Sequence, residues 1–293
     1  MRDRRDRSST NQCASCRVRA VPAPPNRHGA RTPITRTRSP HDDPMGPHGG
    51  PSYGDPMDLI ETLRTTGAVR EFTAQPVPDE VVARVLDSAW FAPSGANAQA
   101  WHVVLVKDPD IRLRLRDLYL PGWRDYLAMG AAGLRPWAPG NDREAETAAV
   151  ASAPESVLAA AQQGFAAHLN EVPVLLVVFA DLAALAAVDR DLDRYSFAGG
   201  ASVYPFAWSI LLAARAEGLG GVLTTMLIRE ETAVKRLLGA PDQLALAGAI
   251  ALGHPQRPAR RLRRRPVTAF ASVDRIDGPQ LPVGAIAGAG NPR

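Results

Sequence analysis

Cysteine is scarce in this sequence. Its 293 residues contain only two, Cys13 and Cys16, and both lie near the N-terminus. Disulfide bonds therefore cannot hold the rest of the chain together. A lone C-x-x-C pair needs two further ligands to bind zinc, or a strand-to-helix setting to act in thiol exchange. Neither accompanies this pair, so we interpret both cysteines as incidental and expect no metal site.

Long apolar segments are also missing. No apolar run reaches the roughly 20 residues that a membrane-spanning helix needs. The arginines at the N-terminus are not followed by the apolar segment of a secretory signal. These two features predict a cytoplasmic protein without a membrane partner.

Positive charge is confined to one end of the chain. The formal net charge is +4, yet residues 1–43 alone contain ten arginines and four acidic residues. The remainder is therefore slightly acidic. Because the excess positive charge belongs to the N-terminal segment, it predicts no nucleic-acid partner for the rest of the protein.

The common catalytic motifs are absent from the sequence. It contains no G-x-S-x-G nucleophile elbow, no Walker loop, no H-E-x-x-H and no G-x-G-x-x-G after a strand. Its six histidines are scattered without metal-ligand spacing. We therefore expect a bound cofactor to supply the chemistry, while the protein supplies orientation and electrostatics.

Composition and hydrophobic periodicity divide the chain into three parts. Residues 1–56 are rich in Arg, Pro, Ser, Gly and His and lack hydrophobic periodicity, which predicts a disordered basic tail. A single domain is expected over residues 57–278. Residues 279–293 are expected to form a flexible C-terminal tail.

Within the domain, apolar patterns predict the secondary structure. Helices are expected at 57–64, 78–90, 111–119, 145–170, 201–217 and 230–238, and the stretch 121–141 is expected to be partly irregular. Short apolar runs predict buried strands at 101–106, 172–180, 220–227 and 244–252. Because helices and strands do not alternate regularly, we predict an α+β fold with helices on both faces of one sheet.

A set of short motifs follows in a fixed order. It begins with V-R-E-F at 69–72, P-V-P at 76–78 and A-P-S-G-A-N-A-Q-A-W at 92–101. It continues with A-A-R-A-E-G-L-G at 213–220, T-T at 224–225, L-L-G-A-P at 237–241, L-G-H-P at 252–255 and R-R-R-P-V at 263–267. Over about residues 57–275 this ordered set resembles the nitroreductase family. P-S-G-A and the threonine-rich turn also resemble its iodotyrosine deiodinase branch.

The resemblance implies a fold, a cofactor and an assembly. The expected fold is nitroreductase-like, a central mixed sheet flanked by helices on both faces. The expected cofactor is FMN, with NADH or NADPH as electron donor. The family's homodimer implies two FMN sites at the interface between two copies of this chain.

The resemblance also implies roles for individual residues. Arg70 matches the cation near flavin N1 and the C2 carbonyl, where reduced FMN carries negative charge. Arg264 matches the phosphate ligand, since phosphate suits arginine forks. The full set of expected cofactor-binding residues is Thr66, Gly67, Ala68, Val69, Arg70, Pro93, Ser94, Gly95, Asn97, Thr224, Thr225, Arg263, Arg264 and Arg265. Ser94, Gly95 and Asn97 match a loop that reaches the partner's flavin, and Thr224 and Thr225 match the turn at flavin N5.

The first motif departs from the family's pattern. Thr66, Gly67 and Ala68 stand where the family has two arginines and a serine or similar residue. A charge-assisted hydrogen bond contributes about 1.5–3 kcal/mol, so we expect FMN to bind less tightly than is usual in the family.

The function implied is reduction of a small electrophile, such as a nitroaromatic or a quinone, with NAD(P)H by a ping-pong mechanism. No side chain is assigned as catalytic, because flavin N5 carries the chemistry. Two alternatives remain open: a reductive dehalogenase-type flavoenzyme, and a protein that stores or sequesters FMN.

Overall fold

The computed structural model describes residues 58–282, and four strands form its sheet. The strands are β1 (Trp101–Leu105), β2 (Val174–Asp181), β3 (Gly220–Thr224) and β4 (Leu244–Gly253). Their order is β1-β2-β4-β3, and each neighbouring pair is antiparallel. Parallel pairing within 58–282 is confined to a single bridge between Ala68 and Gly221. The basic tail predicted at 1–56 and the C-terminal tail beyond residue 282 lie outside the described residues.

Strand β2 lies in the middle of the protein because its sequence, V-L-L-V-V-F-A-D, is apolar on both faces. Val174, Leu176 and Val178 point into the core on one face of the sheet. Leu175, Val177 and Phe179 alternate with them and point into the core on the opposite face. A strand buried on both faces needs helices on both sides of the sheet.

Helices α2 (Asp79–Ala89) and α7 (Tyr204–Ala216) pack against each other on the first face. The stripe Val82, Val85 and Ala89 is buried, as its helical spacing predicts. Arg84 of α2 pairs with Glu217, just after α7, at 2.7 Å. This ion pair joins the two helices near the C-terminal end of α7.

Helices α3 (Pro109–Ala131) and α8 (Glu231–Leu238) cover the opposite face. The expected end of α3 near residue 119 is wrong, because the helix continues through Pro121 to Ala131. Its buried residues Leu115, Tyr119, Gly122 and Met129 follow the i, i+4, i+7 and i+14 spacing of one helical stripe, which spans the proline. Burial along the whole stripe outweighs the roughly 3 kcal/mol that an interior proline costs a helix.

A further difference concerns the region between α3 and β2. The single helix expected at 145–170 is three: α4 (Arg143–Ala151), α5 (Glu155–Ala161) and α6 (Gly164–Ala167). Pro154 disfavours helical backbone at the residue before it, and Gly164 has φ +66°. Helix α1 (Leu59–Thr65) begins the described chain, with Asp58 as its N-cap. The predicted α+β fold with helices on both faces is confirmed.

Within residues 58–282, no helix is both long and apolar enough to cross a membrane. The same part of the chain contains no cluster of three or more His, Cys, Asp or Glu side chains suited to a metal ion.

Candidate functional site

A cavity of about 440 Å³ lies between two segments, residues 65–71 and 255–262. The first segment carries the V-R-E-F motif. It is held beside the sheet by a hydrogen bond from Val69 N–H to the Gly221 carbonyl at 2.9 Å. A second bond, from Thr73 N–H to the His254 carbonyl at 2.8 Å, fixes its other end. The sheet therefore sets the position of the motif, which the sequence alone left undefined.

The two segments approach each other closely at Gly67. Leu262 N–H donates to the Arg64 carbonyl at 2.8 Å. A Cβ atom added to Gly67 would lie 2.9 Å from Leu262 Cδ2, closer than such atoms approach. The departure from the family's pattern at residue 67 is thus matched by Leu262, which fills the space that a side chain there would need.

Arginine dominates the charge of the cavity. Its lining includes Arg70, Arg215, Arg257 and Arg260, with Glu71 as the carboxylate. Arg257 pairs with Glu71 at 3.1 Å, but both side chains are largely exposed, and such pairs contribute about 0–1 kcal/mol. The cavity is therefore an anion-attracting site with several guanidinium groups.

Arg215 differs from the other cavity arginines in its surroundings. Its Nε is buried and has no hydrogen-bond partner among the described residues. A buried donor without an acceptor is costly in a folded protein. An orphaned guanidinium nitrogen beside an arginine-lined cavity fits a phosphate-bearing cofactor such as FMN.

A second feature of the site joins α3 to β3. The Tyr119 hydroxyl and Thr224 Oγ1 lie 2.9 Å apart, and Tyr119 is buried. Burial raises the pKa of Tyr119, although the bond to Thr224 and the charge of Arg70 act in the opposite direction. The Tyr119–Thr224 pair therefore joins helix α3 to the threonine turn at the end of β3.

Tyr119 is a candidate site residue that the sequence did not reveal, and neither it nor Thr224 lines the described cavity. Its position four residues after Leu115 on one helical face is typical of an ordinary core residue. Only the pairing of its hydroxyl with Thr224 gives it a second role. Thr225, by contrast, is exposed and precedes a 3-10 turn at Met226–Glu230.

The P-S-G-A-N loop has a strained backbone. Ala96, Asn97 and Gln99 have φ values of 52°, 54° and 49°, a left-handed conformation that costs non-glycine residues about 1–3 kcal/mol each. Hydrogen bonds hold the loop: Gly95 N–H donates to Ser202 Oγ and Gln99 N–H to Ser94 Oγ, both at 2.9 Å. Such strain is often found at functional sites. The described lining of the cavity does not include residues 93–97.

Four more of the predicted ligands, Thr66 and the three arginines at 263–265, are not among the described residues that line the cavity. Arg263, Arg264 and Arg265 are exposed, and Arg264 donates to the Arg263 carbonyl at 2.9 Å. Thr66 is buried, and its hydroxyl donates to the Thr62 carbonyl at 2.8 Å. The cofactor roles of these four residues, like those of the other ten predicted ligands, stay predictions.

The profile of the Nitroreductase family matches residues 63–254 of the chain. The chain belongs to the nitroreductase family. Its β3 and β4 strands, the Tyr119–Thr224 pair and the first motif all lie within the matched residues.

The chain is similar in sequence to enzymes of two kinds. The chain is 27% identical to the NADH dehydrogenase of Thermus thermophilus over 225 residues, which cover 67% of this chain and 87% of that protein. It is 26% identical to iodotyrosine deiodinase 1 of Rattus norvegicus over 203 residues, 69% of this chain and 64% of that one. The chain thus spans a little under two thirds of the deiodinase.

Solved structures show the same fold. An iodotyrosine deiodinase bound to FMN and 3-iodo-L-tyrosine has a TM-score of 0.51 at 25% identity, over 72% of this chain and 96% of that one. A BluB-like flavoprotein from Clostridium difficile has a TM-score of 0.55 at 21% identity, over 74% and 99%. The second likeness concerns the fold alone.

Family membership confirms the class of protein predicted from the motifs. The chain is a flavin-dependent oxidoreductase of this family.

Proposed function

We propose that this nitroreductase-family protein reduces a small planar electrophile, such as a nitroaromatic or a quinone, with NADH or NADPH by a ping-pong mechanism. The observation that carries the proposal is the arginine-lined cavity, which brings Arg70 and the V-R-E-F motif beside Arg215 and Arg260. When bound, FMN supplies the two-electron chemistry between the nicotinamide and the acceptor. The protein's part is to bind, orient and tune that cofactor.

Arg70 is the residue proposed to tune the cofactor. It lines the cavity, and its charge acts on the Tyr119 hydroxyl. A fixed cation at the pyrimidine end of a flavin ring favours the redox state that carries negative charge there. Arg70 therefore raises the reduction potential of the bound cofactor.

Tyr119 is proposed to hold the Thr224 hydroxyl in one orientation. Because burial raises the pKa of Tyr119, its hydroxyl keeps its proton at neutral pH. The pair can then fix the rotation of Thr224 Oγ1, at the turn that the family resemblance assigns to flavin N5. A fixed hydroxyl loses less entropy when the cofactor binds.

We also propose that the protein is a homodimer. Apolar side chains of α1, of α7 and at the end of α2 are exposed: Leu59, Ile60, Leu63, Trp90, Phe91, Tyr204 and Trp208. We call these residues the α1–α7 apolar surface. Helices α1 and α7 are in contact, and the loop after Phe91 is bonded to Ser202, just before α7. Exposed apolar side chains grouped in this way suit a second copy of the chain.

The dimer proposal gives the strained loop a role. The loop at 94–99 is bonded to Ser202, beside the α1–α7 apolar surface. The described residues that line the cavity belong to 65–71, 255–262 and Arg215, and not to this loop. In a dimer this loop would face the partner, which agrees with the expectation that Ser94, Gly95 and Asn97 reach the partner's flavin. A cytoplasmic location, where NAD(P)H is supplied, completes the proposal.

One experiment tests the reaction. The purified protein should show a flavin spectrum, and anaerobic NADH or NADPH should bleach it. Addition of a nitroaromatic or a quinone should then restore the oxidised spectrum. Steady-state rates at varied donor and acceptor should give the parallel double-reciprocal lines of a ping-pong mechanism.

The same experiment separates the other candidates. A flavin that NAD(P)H cannot bleach would contradict the proposal and favour FMN storage. The likeness to iodotyrosine deiodinase in sequence and structure makes reductive dehalogenation the second candidate. Reoxidation by a halogenated phenol with release of halide, and not by a nitroaromatic or a quinone, would favour it.

A further inference from the structure

Arg215 lies in the last turn of α7, inside the A-A-R-A-E-G-L-G motif. It lines the cavity beside the first motif, and its Nε is buried without a hydrogen-bond partner among the described residues. An arginine in such a position usually has a structural reason. At the end of a helix, an arginine usually bonds the last carbonyl groups or pairs with a carboxylate. The contacts of α7 argue against both roles.

The first ordinary reason is to bond the last carbonyl groups of the helix. Three of the last four carbonyls of α7 already have backbone donors. Glu217 N–H donates to the Ala213 carbonyl at 3.3 Å, Leu219 N–H to that of Ala214 at 2.8 Å, and Gly218 N–H to that of Arg215 at 3.1 Å. The end of α7 therefore does not need the Arg215 guanidinium as a donor.

The second ordinary reason is an ion pair with a nearby carboxylate. Glu217 is the nearest acidic residue in sequence, but its carboxylate accepts both Nε and Nη2 of Arg84, at 3.1 and 2.7 Å. Glu71, the carboxylate of the cavity, pairs with Arg257. The carboxylates close to Arg215 in the sequence and in the cavity are thus engaged by other arginines.

The cavity also lacks the groups that the family uses at 66–68. The Thr66 hydroxyl donates to the Thr62 carbonyl, and Leu262 occupies the space beside Gly67. Ala68 offers no polar side chain. A phosphate in this cavity would therefore need cations from other segments. Arg257 and Arg260 lie on the segment 255–262, and Arg215 reaches the cavity from α7.

We propose that Arg215 is a ligand of the terminal phosphate of FMN, and that it supplies from α7 a charge that residues 66–68 lack. A guanidinium offers two parallel N–H donors to phosphate oxygens. The buried Nε then gains an acceptor when the cofactor binds. This inference rests on the proposed role of FMN at this cavity.

The test compares two ligands that differ by the phosphate alone. Flavin-free protein is titrated with FMN and with riboflavin, and quenching of flavin fluorescence gives both dissociation constants. Arg215→Gln should weaken FMN about tenfold to a hundredfold, the range of one charge-assisted bond, and leave riboflavin within about twofold. Arg215→Lys keeps the charge but not the fork, so its loss for FMN should be intermediate.

Arg236→Gln is the matched control, because Arg236 is an exposed arginine in the last turn of α8 and is not among the described cavity residues. It should leave both constants unchanged.

An equal loss of FMN and riboflavin affinity in Arg215→Gln would show a structural role and overturn the inference. Unchanged FMN affinity in Arg215→Gln would also overturn the inference. If Arg215→Gln fails to fold, the FMN-to-riboflavin ratio of Arg215→Lys decides in the same way. A wild-type protein that binds neither flavin would instead overturn the proposed function itself.

Discussion

At the scale of single residues, Arg70 has the best-defined electrostatic role. If its charge stabilises the reduced cofactor, Arg70→Ala should weaken reduced FMN more than oxidised FMN. A differential interaction of about 1.5–3 kcal/mol lowers the two-electron potential by about 30–60 mV. Equilibration with a reference dye measures this shift.

Arg264→Ala provides the comparison for Arg70. The FMN phosphate carries the same charge in both redox states, so loss of a phosphate ligand weakens both states equally. The potential should then stay within a few millivolts of the wild type. A wild-type potential in Arg70→Ala would show that Arg70 does not lie near flavin N1.

Tyr119 permits a second prediction at this scale. Tyr119→Phe removes one hydroxyl and leaves Thr224 Oγ1 without its 2.9 Å partner. We expect a loss of about 0.5–1.5 kcal/mol in the free energy of unfolding and a severalfold lower rate of flavin reduction by NAD(P)H. Urea denaturation and stopped-flow absorbance measure the two effects.

Tyr126 is the matched control for Tyr119, because it lies on the same helix and is partly exposed. Tyr126→Phe should keep the wild-type stability and rate. If Tyr119→Phe lowers stability but not the rate of flavin reduction, the Tyr119–Thr224 pair supports the fold and not the cofactor.

At the scale of elements, the segment between β2 and α7 depends on one buried carboxylate. Asp189 accepts hydrogen bonds from the Phe197 N–H, from Arg194 and from the Ser196 hydroxyl. These bonds, the backbone one first, hold the pKa of Asp189 well below its usual range. The carboxylate therefore closes residues 189–197, which have no helix or strand of their own, into a loop.

This loop should be sensitive to acid. A group with a lowered pKa in the folded state stabilises that state above its unfolded pKa, about 3.9 for Asp, and the contribution is lost as the pH falls below that value. Asp189→Asn should remove the dependence and increase amide hydrogen exchange at 194–198 at neutral pH. Asp191, an exposed neighbour, is the control. If Asp191→Asn increases exchange equally, the loop does not depend on Asp189.

The helices show how far local patterns reach. The stripe of α2 was predicted from spacing because the residues that form it are close together in the sequence. The extent of α3 was not, because a proline ends most helices. Its continuation through Pro121 depends on packing against β2, β4 and the turn at Met226–Glu230, which lie far along the chain.

At the scale of the whole molecule, the α1–α7 apolar surface predicts the oligomeric state. Sedimentation should give about twice the 31.3 kDa mass of one chain. Phe91, which is 83% exposed, can be changed with little effect on the core of a single copy. Phe91→Asp should weaken the dimer and, if the site is shared, lower FMN affinity with it.

Leu158→Asp is the control for Phe91, since Leu158 is an exposed apolar residue of α5, which packs against α3. It should remain dimeric. A wild-type monomer that holds FMN tightly would contradict both the dimer and the expected role of the loop at 94–97.

The sequence by itself determined the family, the class of chemistry and the fold. These follow from features that are local in the chain: apolar runs for the four strands, and short motifs in a fixed order. Arg70 and Thr224 could be assigned roles in the same way, because each lies within a motif. The departures at 66–68 were also visible.

Only the tertiary structure decided which side chains meet. The bond from Val69 to Gly221 and the approach of Leu262 to Gly67 bring distant segments to one cavity. These contacts border the cavity that Arg215 of α7 also lines. Packing of α3 on the sheet places Tyr119 against Thr224. Neither Arg215 nor Tyr119 stands out in the sequence, where one is typical of a helix end and the other of a core. Strand pairing and helix packing bring such residues together, and no local periodicity encodes those long-range contacts.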